Sequence, residues 1–197
     1  MPNTTATPNV ISDPGFLFCA PIGTTLPTNT VAGSVFTDNW PAAWVNLGGT
    51  DEGSTFSWET TVEPVTVAEL FDPVKQAVTG ASGSMAFALA DYTLKNLGRA
   101  LNAGPGAAAT VSGTGPTLLS SLEPADPTAI VRQMIGWESL DATLRFVGRQ
   151  VINGGTVESA FQKAPTKALI PFQFNFERPA AAKSWIFYSA GAARVGA

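Results

Sequence analysis

The sequence contains no histidine and a single cysteine, Cys19. Histidine is the commonest general base and metal-binding side chain near neutral pH, so its absence excludes histidine-based catalytic triads and the usual zinc sites. One cysteine can form no disulfide within the chain, and its neighbours Phe18 and Ala20 predict that Cys19 is a buried apolar residue. We therefore expect a protein that is not an enzyme and that holds no cofactor and no metal.

Other signatures of chemistry are also missing. The phosphate-binding pattern Gly-x-x-x-x-Gly-Lys-Ser/Thr does not occur, and residues 104–109 imitate a dinucleotide fingerprint only in a loop that contains proline. Glu59 and Glu63 form the best pair of carboxylates, but four residues along a strand separate them by about 13 Å. A glycosidase needs roughly 5 to 9.5 Å between its two carboxyl groups, so this pair is interpreted as part of a solvated face.

Charge of either sign is scarce, since only 13% of the residues are charged and the pI is near 4.7. No basic stripe with interleaved aromatic residues occurs, which argues against tight binding of nucleic acid. No run of about 18 apolar residues and no signal-peptide pattern is found. We expect a soluble protein without a membrane anchor.

The charges that are present are unevenly distributed. Residues 1–90 hold eight acidic residues and one lysine, whereas residues 91–197 hold ten basic and seven acidic residues. The formal charges of the two parts are therefore −7 and +3, which add up to the −4 of the whole chain. This asymmetry suits a subunit whose acidic surface meets a basic surface on another copy. An equally open interpretation is that the two parts interleave in one fold and the asymmetry disappears.

The composition favours β-structure. Glycine and proline number 19 and 15, beside many threonines and serines, a mixture typical of short strands and turns. A chain of 197 residues falls within the range of one domain. We predict a mainly β fold, an antiparallel β-sandwich or barrel flanked by one α-helix, with an extended arm and a long loop.

Two segments alternate clearly between apolar and polar residues. In residues 55–63, Phe56 and Trp58 begin the apolar face, and residues 170–177 alternate in the same way. A period of two predicts half-buried strands. Further strands are predicted at 16–22, 84–90 and 130–138, and Asn153-Gly154-Gly155 predicts a hairpin between 144–152 and 156–162.

A helix is predicted at residues 91–103. Asp91 can cap it, and Leu94, Leu97 and Leu101 have the spacing of a face that packs on a sheet. The single domain, residues 1–197, also contains an N-terminal arm at 1–14, a long inter-subunit loop at 64–80 and a C-terminal segment at 178–197.

The layout of residues 48–104 resembles a known family. Gly49-Thr50-Asp51-Glu52-Gly53 precedes an alternating strand with Glu59 and a long excursion, after which Met85-Ala86-Phe87-Ala88-Leu89-Ala90-Asp91 leads into Tyr92-Thr93-Leu94-Lys95-Asn96-Leu97 and Ala100-Leu101. This arrangement resembles the tail tube proteins, or major tail proteins, of bacteriophages with long non-contractile tails. The carboxyl half of the chain is compatible with that family but less distinctive.

The resemblance implies a structural virion protein of the viral tail, assembled in the host cytoplasm. Such subunits close into hexameric rings, and the rings stack into a tube that conducts the genome during ejection. The implied partners are other copies of the chain, the tape measure protein, and the tail terminator and tail tip proteins. DNA in transit would pass without tight binding.

Two sets of residues are predicted to serve assembly. The first set, expected to line the channel, contains Ser57, Glu59, Thr61, Glu63, Gln173 and Asn175, because an acidic or neutral wall repels phosphate. The second set, expected to join stacked rings, contains Val67, Glu69, Leu70, Phe71 and Asp72 of the excursion with Arg145, Arg149 and Arg178 of the next subunit. The alternatives are that the polar strand faces merely meet outer solvent and that the excursion folds back on its own subunit.

Two other functional classes remain open from sequence. A capsid decoration protein or head-tail joining protein shares the β-rich composition without catalytic groups. An adhesin or carbohydrate-binding module would display aromatic residues such as Trp40, Trp44 and Trp185 on a flat surface. Electron microscopy of the purified protein separates these classes, since only a tail tube protein forms long tubes.

Overall fold

The computed structural model describes residues 14–66, 68, 72–103, 110–112, 119–123, 126, 128–161, 163 and 166–190. Within these residues the chain forms twelve strands and one helix, and the prediction of a mainly β, antiparallel fold with one helix is confirmed. The strands are β1 (Phe16–Pro21), β2 (Val31–Ala32), β3 (Val35–Phe36), β4 (Val45–Asn46), β5 (Thr50–Val65), β6 (Lys75–Leu89), β7 (Thr110–Ser112), β8 (Leu119–Ser121), β9 (Gln133–Glu138), β10 (Leu144–Asn153), β11 (Ile170–Phe176) and β12 (Trp185–Ser189). The helix, α1, is Leu94–Ala100.

Eight strands form one antiparallel sheet in the order β4, β1, β9, β10, β11, β6, β5, with β12 also paired to β10. The first part of β10 pairs with β12, and its last three residues pair with β11. The strands β2 and β3, and likewise β7 and β8, form two separate two-stranded sheets. The predicted partner of β10 was therefore wrong: residues 156–161 form no strand, and β10 pairs with the more distant β11.

The sheet curls around its core. Phe56 of β5 lies 5.1 Å from Phe146 of β10 and 5.4 Å from Phe187 of β12, measured between ring centroids, although β6 and β11 stand between β5 and β10 in the sheet. Contact across that separation requires the strands to bend toward each other. The core enclosed in this way is Leu17, Cys19, Leu47, Met85, Phe87, Leu89, Ala100, Ile135, Phe146, Val151, Ile170, Phe172 and Phe174.

The opposite face of β9 is also covered. Residues between β1 and β4 bring Trp40 and Trp44 against Met134 and Val147 in a second apolar cluster. Gly136 of β9 permits this contact, because a Cβ at that position would lie 2.4 Å from the Trp40 ring. Burial on both faces makes β9 a central strand of the molecule.

Arg145 fixes the covering segment to the sheet. Its side chain is 1% exposed, and it donates hydrogen bonds to Glu138 at 2.5 Å and to the carboxylate of Asp38 at 2.9 Å. Its guanidinium also lies over the ring of Phe36, 4.5 Å from the centroid. The prediction that Arg145 reaches a neighbouring ring is therefore wrong, because the buried guanidinium is already bound to two carboxylates of its own chain.

The helix differs from the prediction in its length and its buried face. It spans Leu94–Ala100 rather than 91–103, and Thr93 is its N-cap, accepting a hydrogen bond from the Asn96 backbone N–H. Leu94 and Leu97 are only partly buried, whereas Asn96 is buried and donates to the backbone oxygen of Leu47 at 3.0 Å. The helix therefore docks through Leu97 and Ala100, which pack against or within the core, and through the polar contact of Asn96.

Replacing Arg145 by Met is expected to cost about 3 to 5 kcal/mol of unfolding free energy, because it leaves the carboxylates of Asp38 and Glu138 partly buried without their cation. Urea denaturation followed by tryptophan fluorescence measures this cost. Arg178→Met is the matched control, since Arg178 is exposed and its replacement should change the free energy by less than about 0.5 kcal/mol. Equal stabilities of the two variants would contradict the structural role of Arg145.

The stability of the wild-type chain should depend on Asp38 in acid. Burial alone would raise the pKa of Asp38, but hydrogen bonds from Thr28, Arg145 and the Asn29 backbone hold it below the ordinary value of 3.8. A depressed pKa contributes stability that is present above the unfolded-state value and is lost as the pH falls toward the folded-state value. Thermal melts below pH 3.8 should therefore show a steeper loss for the wild type than for Asp38→Asn, and parallel curves would refute this linkage.

Candidate assembly surfaces

The strands β5 and β6 extend beyond the rest of the sheet. The strand β11 pairs with β6 as far as Asn175, which lies opposite Ser84, and Ser84 lies opposite Ser57 of β5; this is the last row that contains three strands. From Trp58 onward β5 and β6 pair only with each other, up to Val65 and Lys75. The eight residues of β5 from Trp58 to Val65 correspond to a projection of about 26 Å beyond that row. We call this two-stranded projection, residues 58–83 with its turn, the ribbon.

The ribbon corrects the predicted loop at 64–80. Residues 64–65 and 75–80 are strand, so only residues 66–74 separate β5 from β6 along the chain. Pro64 is compatible with a strand here because β5 is the edge of the sheet, where one side of the backbone needs no partner. Asp72 is exposed in the turn; the other predicted residues of this segment, Val67, Glu69, Leu70 and Phe71, lie outside the described residues.

Both faces of the ribbon are open to solvent. Val62 and Val78 form a cross-strand pair and are 49% and 67% exposed, and Val65 and Val74 near the turn are 45% and 58% exposed. An isolated two-stranded hairpin is marginally stable in water. These exposed valines make the ribbon a candidate interaction surface.

Aromatic rings hold the base of the ribbon. A Cβ at Gly83 would lie 2.6 Å from the Trp58 ring and 2.9 Å from the Phe176 ring, so only glycine allows both rings to lie against β6. Trp58 in turn contacts Trp185, with 5.5 Å between ring centroids. These contacts attach the projecting strands to β11 and β12.

Four of the predicted channel residues lie together on one face of the sheet. Ser57, Glu59, Gln173 and Asn175 line a depression of about 440 Å³ with Ser82, Gly83, Ser84 and Phe176. Thr61 and Glu63 continue the same alternation of β5 along the ribbon. Apart from Glu59 this depression is lined by uncharged groups, so the surface is polar and weakly acidic.

A second cavity, of about 560 Å³, opens between the beginning of β5 and the strands β9, β10 and β12. Its wall is largely apolar, and Asp51 and Glu52 lie beside it; Asp51 forms an ion pair with Lys167. The lining residues are Pro14, Asp51, Glu52, Gly53, Ser54, Phe56, Met85, Trp137, Leu144, Phe146 and Phe187. No sequence pattern indicated this cavity, because its walls come from strands that are distant along the chain.

The other predicted ring-stacking arginines lie on the surface. Arg149 is half-buried in β10 and donates to the Lys183 carbonyl at 3.4 Å, and Arg178 is exposed in the segment that follows β11. Nearby, Arg132 forms an ion pair with Glu177. Hydrogen bonds from Arg132 and Gln150 hold the pKa of Glu177 below its ordinary value. The sequence prediction did not include Arg132 and Lys183. Lys183 lies beside Arg149 because β10 pairs with β12, and Arg132 lies beside Gln150 because both bind Glu177.

The single cysteine, Cys19, lies in the core. Burial raises the pKa of the Cys19 thiol to about 11, which leaves it protonated and unreactive near neutral pH. Over the described ranges, no group of three or more cysteine or carboxylate side chains could hold a metal ion. No helix in that part of the chain is long and apolar enough to cross a membrane.

The aromatic residues proposed for carbohydrate binding do not form a flat exposed platform. Trp44 is 5% exposed, and Trp40 stacks on Phe18 with 4.5 Å between ring centroids. Trp185 packs among Phe56 and other rings of the core face. These tryptophans contribute to the fold, so the observation that suggested an adhesin has a structural explanation.

Comparison with protein-family models gives no match, and no curated protein is detectably similar to this chain.

Proposed function

We propose that this protein is the repeating subunit of a phage tail tube, a structural virion protein that polymerises as stacked rings around a channel for DNA. The observation that carries the proposal is the ribbon, a long two-stranded projection with exposed valines on a chain that otherwise encloses a well-packed core. A projection of this kind gains stability when a neighbouring copy covers it. The hexameric number of each ring rests on the resemblance of residues 48–104 to tail tube proteins.

The edge of the sheet provides a second reason for polymerisation. The strand β5 ends the sheet and, within the described residues, its outer edge is unpaired over Thr50–Val65. Unpaired strand edges are templates for pairing with another chain, and closure into a ring removes them. A contact between two different surfaces of identical subunits repeats to give a closed ring or a filament.

The polar depression suits the wall of the channel. Serine, glutamine and asparagine side chains form it around Glu59, and this surface lies opposite the apolar core face of β5, β6 and β11. A neutral to acidic wall repels phosphate, so DNA passes without being held. The proposed partners are copies of the chain, the tape measure protein, and the tail terminator and tip proteins, in a virion tail assembled in the host cytoplasm.

Removing the ribbon should abolish tubes while preserving the fold. In the test variant an Asn-Gly turn replaces residues 61–80 and joins Thr60 to Ala81, which are paired across the two strands. Because the removed strand residues are largely exposed, the melting temperature should stay within a few degrees of the wild type. Negative-stain electron microscopy and sedimentation velocity should show tubes for the wild type and single subunits or isolated rings for the variant.

The matched control is Phe161→Ser, which removes an apolar side chain that is 77% exposed and lies outside the ribbon. This variant should still form tubes. Long tubes from the ribbon-deleted variant would exclude the ribbon from assembly. A wild-type protein that stays monomeric or forms only small closed oligomers would instead favour the head decoration or joining function.

The position of the polar depression can be tested with Asn175→Cys. Cys19 is buried and has a raised pKa, so the introduced thiol should be the one that reacts with maleimides. In free subunits both a small maleimide and a large polyethylene glycol maleimide should label it, because Asn175 is exposed. In assembled tubes only the small reagent should reach it at an undiminished rate. Equal labelling by the large reagent in tubes would place this face outside the channel.

A further inference from the structure

We infer that a basic surface beside β10 and β12 receives the acidic ribbon of a second copy. This surface, called here the basic patch, consists of Arg132, Arg149, Arg178 and Lys183. The inference rests on the proposed function, since it specifies how one subunit recognises the next. The residues differ from those expected from sequence, because Arg145 is buried and Arg132 and Lys183 are added.

The fold brings the basic patch together from three segments. The Arg149 backbone N–H donates to the Ser184 carbonyl at 2.8 Å, and the Glu177 N–H donates to the Gln150 carbonyl at 2.9 Å. These bonds hold both ends of the turn 177–184 against β10. Arg132, immediately before β9, is joined to the same turn by its ion pair with Glu177. The patch is therefore anchored by backbone hydrogen bonds as well as by side chains.

The patch carries an excess of positive charge. Glu177 is the one acidic residue in the connected segments 132, 149–150 and 177–184, so four basic residues and one acid leave a formal charge of +3. Glu177 is already bound by Arg132 and Gln150. Among the described residues, neither Arg178 nor Lys183 forms an ion pair, and both are exposed.

The ribbon carries the opposite charge. Residues 59–75 contain four acidic residues and Lys75, which gives a formal charge of −3. Glu59, Glu63 and Asp72 are exposed, and no basic residue in the described part of the chain forms an ion pair with them. The formal charges of the two segments are therefore equal in magnitude and opposite in sign.

The geometry favours pairing between copies over pairing within one chain. Glu63 lies six residues beyond the row of Ser57, about 20 Å along the ribbon. The strands β5 and β11 both pair antiparallel with β6, so the ribbon and the turn 177–184 leave the same edge of the sheet. The turn runs across to β12, which pairs with β10, whereas the ribbon continues outward. Within the described residues no ion pair joins the ribbon to the basic patch, so the acids of one subunit are available to a second copy.

The apolar cavity is a less suitable receptor for the ribbon. Its lining includes Asp51, which is paired with Lys167, and Glu52, whose charge has the same sign as those of the ribbon acids. Like charges in close contact repel each other, whereas complementary charges guide encounter and fix register. One ribbon and one basic patch on every subunit make a head-to-tail contact, which is the kind that repeats along an assembly.

Charge reversal provides the test. A ribbon variant, Glu63→Lys with Asp72→Lys, and a patch variant, Arg149→Glu with Arg178→Glu, each make the two contacting surfaces alike in sign. At low salt, the amount of assembled protein formed by each variant alone should be at least about tenfold smaller than that formed by the wild type. An equimolar mixture should recover assembly, because the positive ribbon of one variant meets the negative patch of the other. Light scattering and electron microscopy measure both effects.

The controls separate folding from recognition. Arg178→Glu with Lys183→Glu changes only exposed residues and serves as a second patch variant if replacement of the half-buried Arg149 reduces stability. Lys95→Glu with Lys163→Glu makes the same change of charge elsewhere and should leave assembly unchanged. If the wild type assembles but the mixture of folded variants does not, the inference is overturned while the proposed function stands. If the wild type forms no assembly, both are overturned.

Discussion

The structure depends on the close packing of Phe176 against two glycines. A Cβ at Gly83 of β6 or at Gly148 of β10 would lie 2.9 Å or 2.6 Å from the Phe176 ring. The missing side chains let one aromatic ring bind the base of the ribbon to the strand at the centre of the sheet. Trp58 completes this contact from the other side of Gly83. Because the third strand ends at this point, β5 and β6 continue alone, and the surface available for assembly begins where the core ends.

Burial and exposure are divided sharply between the two parts of the molecule. The strands β9 and β10 are covered on both faces, and a buried arginine joins the covering segment to them. The ribbon, in contrast, has solvent on both faces. Large apolar burial in one part supplies the stability that a two-stranded projection lacks. In the proposed assembly the core stabilises each subunit, and the ribbon gains most when another copy covers it.

Local patterns predicted the strands well and the partners of those strands poorly. The alternation in residues 55–63 and 170–177 identified β5 and β11, because side chains of a strand alternate whatever lies beside it. The same rules failed at Arg145, since charged residues are normally exposed and its carboxylate partner Asp38 is remote in sequence. The predicted helix contained the observed one but was too long, and no helical periodicity encodes the contact of buried Asn96 with the backbone oxygen of Leu47. Alternation alone placed Ser57 with Glu59, and Gln173 with Asn175, on polar strand faces, and these four residues line the polar depression. The basic patch depends instead on the pairing of β10 with β9, β11 and β12.

The uneven charge of the sequence now has a structural explanation in two parts. Some of the asymmetry is neutralised within the chain, because Asp38 pairs with Arg145 and Asp51 pairs with Lys167. The rest survives on the surface, with acids on the ribbon and basic residues beside β10 and β12. Exposed ion pairs contribute little stability each, about 0 to 1 kcal/mol, and salt screens them. In the proposed assembly the separated charges act on encounter and register between copies, while the valines of the ribbon provide the apolar area that such contacts need to persist.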